Sequence, residues 1–168
     1  MHSEKGEAHD LEAARPRTRH PFLAGLAPRD VERLARWAHR APFRAGTRIF
    51  EEHGRAERFW LIREGRVDLD TRTPGPIVVE TLGPGAVLGW SWLFSPYRWH
   101  FGAVAVDPVL AIELDGPGVR SLCAAEPALG LELTRRFMAV VVERLQSTRM
   151  VLTVAVRPDG VTRSGGVT

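Results

Sequence analysis

The chain has 168 residues, 44% hydrophobic and 26% charged, with a formal net charge of +3. These proportions fit one soluble globular domain and exclude collagenous, low-complexity and disulfide-framework chains. The arginines are spread along the sequence rather than gathered in a stripe, which is a weak signature for nucleic acid.

The opening MHSEKGEAHDLEAARPRTRH lacks the apolar centre of a secretory signal, and no run of about 18 uninterrupted apolar residues follows anywhere. The expectation is a cytoplasmic protein without membrane contact. Residues 1–19 are polar and aperiodic and read as a flexible arm; the folded domain is expected over 20–153, with a tail at 154–168. In PFLAGLAPRDVERLARWAHRA, the residues Leu26, Val31, Leu34, Ala35 and Ala38 share a helical face, Pro28 suits a first turn and Asp30 its positive end. The spacing predicts a helix from Pro28 to Arg40.

From Pro42 to Leu114 short apolar or alternating runs (RIFEEH, RFWLIREG, RVDLDT, PIVVETLGPG, AVLGW, AVAV, VLAIELDG) are each closed by glycine or proline. Turn residues every 8 to 12 positions predict an all-β sandwich or barrel. Gly65 suits a tight hairpin, and GPG at 83–85 a second turn. Asp115 is placed to cap a short helix, GVRSLCAAEP, ended by Pro127. The only cysteine, Cys123, lies in this apolar pattern, where it reads as a small buried hydrophobe; it can form neither an internal disulfide nor a multi-cysteine metal site.

The longest periodic segment, ALGLELTRRFMAVVVERLQSTRMVLTVAV, carries Leu129, Leu133, Phe137, Val140, Val141, Arg144, Leu145 and Thr148 in steps of three and four. Leu131, Met138 and Val142 lie on another flank. This apolar arc is too wide for one partner surface, so one side is expected to pack on the β domain and the other to pair with a second copy. Leu133, Phe137, Val140, Val141, Arg144 and Leu145 are the expected dimer residues.

Catalytic and metal motifs are missing. The six histidines form no HxH pair: His2 and His9 lie in the arm, His20 and His39 flank the first helix, and His53 and His100 stand apart in the β region. A cupin-like metal enzyme is the disfavoured alternative. Neither a GxSxG elbow nor a GxxxxGK loop occurs, and no cofactor is called for. The acids Glu51 and Glu52 read as solvated residues.

The order FLAGLAPRDVERLA, GTRIFEEHGRAERFWLIREGRVDL, VETLGPGAVLGW and a long terminal helix resembles the cyclic nucleotide-binding domain of the catabolite activator (Crp-Fnr) family, over about residues 20–150. The resemblance implies an α+β, mainly β fold: a double-stranded β-helix, jelly-roll-like, with an N-terminal helix and a long C-terminal helix that makes a homodimer. It also implies a non-catalytic regulatory role. A DNA-reading helix-turn-helix would need roughly 60 residues beyond the long helix, whereas fewer than 20 follow Met150; no DNA binding is expected of this chain alone.

The resemblance also bears on AVLGWSWLFSPYRWHFGAVAV, residues 86–106. In the family this region is a phosphate-binding cassette: a glycine, a glutamate for the ribose, a short helix with free N–H groups, and an arginine followed by a small residue. Here Gly89 matches the glycine and Trp90 stands at the glutamate position. Aligning Ala103 with the small residue puts Phe101 where the arginine belongs. With both polar anchors replaced, cAMP or cGMP is not expected to bind in the ordinary way. Arg98 or His100 could restore an anion contact from a rearranged loop. Two readings stay open for the candidate pocket Gly89, Trp90, Ser91, Trp92, Arg98, His100, Phe101 and Ala103. The aromatics Trp90, Trp92, Phe94, Trp99 and Phe101 either line a site for a modified nucleotide or a flat or lipophilic effector, or fill the vacated cavity and leave a module that docks on a partner protein.

Overall fold

The computed structural model describes residues 20–155, with side chains as far as Thr148; the expected arm and most of the expected tail lie outside that range. Two compact units divide the chain, one ending at Leu133 and the other starting at Thr134.

The described chain opens with a 3-10 turn at Pro21–Leu23 and helix α1, Pro28–Ala35. Pro28 occupies the first helical turn, and Asp30 near the N-terminus accepts from Arg33 at 3.1 Å, both favourable at that end. The helix stops at Ala35, five residues before the expected Arg40. Strand β1, Ala38–Phe43, takes over because its backbone pairs with β8, Val109–Asp115, from Ala38↔Leu114 to Phe43↔Val109. Ala38 is buried in the strand as it would have been in the helix, so the apolar spacing could not tell the two apart.

Between β1 and β8 run β2 (Arg48–Phe50), β3 (Arg58–Glu64), β4 (Val67–Thr71), β5 (Ile77–Leu82), β6 (Val87–Leu88) and β7 (Gly102–Ala105). They form two antiparallel four-stranded sheets, ordered β1-β8-β3-β6 and β2-β7-β4-β5. This is the expected jelly-roll-like double sheet. Its interior holds Ile62, Val67, Leu69, Leu82, Leu88, Ala103, Val109 and Ala111 together with Trp60 and Trp99. Strand β3 has four consecutive buried residues, Phe59 to Ile62, because both of its faces are covered. Gly65 has φ +80°, and a Cβ there would sit 2.3 Å from the Pro108 carbonyl oxygen, so the β3–β4 turn needs glycine on both counts.

Asp115 accepts from the Gly118 N–H at 2.8 Å and caps helix α2, Gly116–Ala125, as expected. Helix α3 spans Pro127–Ala155. Leu133 and Phe137, expected at a dimer seam, are fully buried; Val140, Val141 and Arg144 are half-buried; and only Leu145 of that set is exposed. Among the described side chains of α3, the large apolar residues that are exposed are Leu131, Met138, Val142 and Leu145.

His20 joins the start of the described chain to the roll. Its Nδ1 accepts from the Phe22 N–H at 3.2 Å and its Nε2 lies 3.2 Å from the Ala86 carbonyl, so the neutral tautomer with the proton on Nε2 satisfies both. Burial holds its pKa below the ordinary 6.5. The unfolded chain therefore binds the extra proton more readily, and this contribution to stability is complete above pH 6.5 and is lost as pH falls through the folded value. Chemical unfolding at pH 7.5 and 5.0 should show a stability drop that His20→Gln, which keeps a donor without titrating, reduces.

Candidate functional site

After β6, Gly89 adopts a left-handed conformation, φ +86°, and the chain enters a 3-10 turn at Trp90–Leu93. It returns past Tyr97 as an extended segment alongside residues 53–56. The Ala56 N–H donates to the Tyr97 carbonyl at 2.7 Å, the Trp99 N–H to Gly54 at 2.9 Å, and the His53 N–H to Trp99 at 2.9 Å. In such a segment neighbouring side chains point to opposite sides. Arg98 is exposed, with its guanidinium donating to the His53 carbonyl at 3.3 Å, whereas Trp99 turns into the roll and is only 4% exposed.

The Trp99 ring stacks on Phe50, centroids 4.1 Å apart and planes 21° apart, and lies 5.9 Å from Trp60, which in turn stacks on Phe50 at 5.4 Å. Contacts of this kind contribute about 0.5–1.5 kcal/mol each beyond the area they bury. The Trp60 indole donates to Glu113 Oε2 at 2.7 Å. The other oxygen of this buried carboxylate lies 2.9 Å from Arg58 and 3.1 Å from His39. The stack also covers Gly89. A Cβ on Gly89 would stand 3.0 Å from two Trp99 ring carbons and 3.3 Å from a Trp60 ring carbon.

The remaining candidate residues do not gather in one pocket. Trp92 is fully buried but stacks on Phe59, centroids 4.6 Å apart; Phe59 and Trp60 are consecutive in β3, so Trp92 packs on the face of the sheet away from Trp99. Ser91 is buried beside it in the chain, and Ala103 is buried in the core of the roll. Trp90 is half-buried, with its ring 5.8 Å from His100 and 6.3 Å from Phe94. Phe101 is exposed. The side chain that meets Gly89 from the far end of the segment is Trp99.

Sequence reasoning missed two supports. Arg120, on α2, donates to the Trp92 carbonyl and stands 4.3 Å over the Tyr97 ring, a cation–π contact that ties both ends of the loop to one helix. On β2, Arg48 makes a bidentate pair with Asp70 on β4, 2.5 and 2.8 Å, and its hydrogen bonds hold the Asp70 carboxyl below the usual carboxylate range. This pair crosses Gly102: a Cβ there would lie 2.4 Å from Asp70 Oδ1 and 2.6 Å from an Arg48 nitrogen. Among the described residues no group of three or more His, Cys, Asp or Glu is placed to hold a metal, and no helix is long and apolar enough to cross a membrane.

Residues 40–126 match the sequence pattern of the cyclic nucleotide-binding domain. The chain belongs to that family, and it is of the Crp-Fnr type. A cyclic nucleotide-binding protein of Geobacter metallireducens GS-15 is 30% identical, covering 75% of this chain and 92% of its own, with a TM-score of 0.70. A cyclic nucleotide-binding domain from Methylobacillus flagellatus KT, 17% identical, shares the fold over 93% of this chain and 87% of its own, with a TM-score of 0.74. The CRP-like cAMP-activated global transcriptional regulator of Mycobacterium tuberculosis is 25% identical over 129 residues. Those residues are 76% of this chain and 56% of that regulator, so the chain spans little more than half of its length. The family is regulatory, not enzymatic.

In this cyclic nucleotide-binding domain, then, Gly89 lies beneath a tryptophan of the same chain. Gly89→Ala should destabilise the fold by about 1–3 kcal/mol, since it combines a left-handed backbone with contact against the stack. Gly83→Ala, where nothing lies within 4 Å of the added carbon, should leave the unfolding midpoint nearly unchanged.

Proposed function

We propose that this cyclic nucleotide-binding domain is a regulatory module that works without cAMP or cGMP. Its interior is occupied by its own aromatic side chains, and it acts through dimerisation or docking on a partner protein. The observation that carries the reading is the Trp99 ring, stacked on Phe50 beside Trp60 and closed over Gly89. A cyclic phosphate reaching the cassette amides from inside the roll would have to displace it. No acidic residue occurs between Ala86 and Val106, so the segment offers the ribose no carboxylate, and Arg98 is directed outward to His53.

The flank of α3 carrying Leu131, Met138, Val142 and Leu145 supports the dimer. These residues recur at intervals of seven, four and three, the seam of a short coiled contact. Light scattering on Met138→Glu/Leu145→Glu should give half the native mass; an unchanged mass would remove α3 from the interface.

Titration calorimetry of the native chain with cAMP and with cGMP at millimolar concentration should give no saturable heat, and saturable binding of either would overturn the reading. Trp99→Ala should lose about 3–5 kcal/mol of stability, as large-to-small core changes do. Indole, which matches the missing ring, should raise the melting temperature of this variant and leave that of the native chain where it is.

A further inference from the structure

His20 is a titratable side chain, 5% exposed, that takes no part in the aromatic interior. Its two ring nitrogens face groups of opposite kind. The Phe22 N–H points a donor at Nδ1 from 3.2 Å, and the Ala86 carbonyl presents an acceptor to Nε2 at 3.2 Å. Only the neutral ring with its proton on Nε2 meets both. A second proton has one place to go, Nδ1, where it would stand donor against donor with the Phe22 N–H.

The surroundings disfavour that proton. Burial opposes the charge most strongly, the Ala86 and Ile62 carbonyls favour it by less, and Arg63 on β3 opposes it by like charge. Residues 21–28, PFLAGLAP, and the turn residues 83–86, GPGA, contain no titratable side chain that could compensate.

A charged ring is therefore accommodated by leaving its place, and the sheets do not depend on its staying. The segment from His20 to Leu26 is folded by its own short-range bonds: the Leu23 N–H donates to the His20 carbonyl at 3.0 Å, Ala24 to Pro21 at 3.1 Å and Leu26 to Leu23 at 3.2 Å. When the ring departs, the Ala86 carbonyl keeps the Ile62 N–H at 3.0 Å, and the Ile62 carbonyl keeps the Gly85 N–H at 2.8 Å, so the joint between β3 and β6 stands. Departure would uncover apolar surface, because Phe22, Leu23 and Leu26 are all buried.

We infer that His20 is a proton-operated clasp: protonation at Nδ1 releases residues 20–26 from the turn between β5 and β6 while the two sheets stay paired, and so presents Phe22, Leu23 and Leu26 to solvent in acid. Ala86 directly precedes β6, and β6 leads to Gly89, so the clasp sits where the chain enters the Trp90–Leu93 turn. The inference is independent of what fills the interior.

The test is amide hydrogen exchange by NMR on the full-length native chain from pH 7.5 to 4.5, with the His20 ring resonances followed in the same samples. The released segment binds its proton at the ordinary value of 6.5, so below that pH the protection factors of Phe22, Leu23 and Ala24 should fall by up to about tenfold per pH unit. They should be lost at a pH where Leu61 and Ile112, paired across β3 and β8, remain protected. Protection that does not change with pH would overturn the inference, and so would loss in step with Leu61 and Ile112, which is unfolding of the whole roll. In His20→Gln, whose side chain does not titrate, the fall should disappear; a fall that persists there contradicts the assignment to His20. Should that variant fail to fold, the native chain decides. Ring titration and loss of the three amides must then share one midpoint, and separate midpoints refute the clasp.

Discussion

The contact on which the site depends is the stacking of Trp99 on Phe50 inside the roll, with Trp60 beside them. Backbone pairing directs Trp99 there: residues 97–99 lie along residues 53–56, and that register turns Arg98 to solvent and Trp99 inward. Trp60 is fixed by its indole bond to Glu113, whose second oxygen lies 2.9 Å from Arg58 and 3.1 Å from His39. A buried carboxylate is costly without such partners. The interior polar contact and the aromatic stack therefore form one arrangement, and a change at Glu113 would be felt at Trp99 through Trp60.

The same fold places two layers of aromatic side chains around the cassette. Alternation along β3 sends Trp60 inward and Phe59 outward, so Trp99 and Trp92 find ring partners on opposite faces of one sheet. The loop between them is held from α2 by Arg120, which bonds the Trp92 carbonyl and covers Tyr97. Motion of this loop would thus be mechanically linked to α2, the helix directly before α3. Gly89 and Gly102 serve the arrangement in different ways. The first admits a ring against the backbone, and the second admits the Arg48–Asp70 pair across the strand.

Much of the fold was legible in the sequence because glycine and proline spacing, the Asp115 cap and the long apolar period are local signals. The error at the end of α1 arose where local signals are degenerate. Ala38 is buried in a strand as it would be in a helix, so only pairing with β8 fixes the end of α1. The two apolar flanks of α3 are equally periodic, so the period by itself does not say which residues are buried; Leu133 and Phe137 are. In the site, the aromatic content and the absence of acids could be read directly. Which ring enters the roll could not, because the register of residues 97–99 is set by a segment more than forty residues earlier. A polar residue on each side of Trp99, in YRWHF, was the available clue. Arg120, twenty-eight residues beyond Trp92, left none.

The most direct measurement is a crystal structure of the native chain grown in saturating cAMP. The account predicts density for the Trp99 indole between Phe50 and Gly89, with the interior of the roll closed to the nucleotide. A purine ribose phosphate seated against the Gly89 backbone, with the indole swung aside, would contradict it.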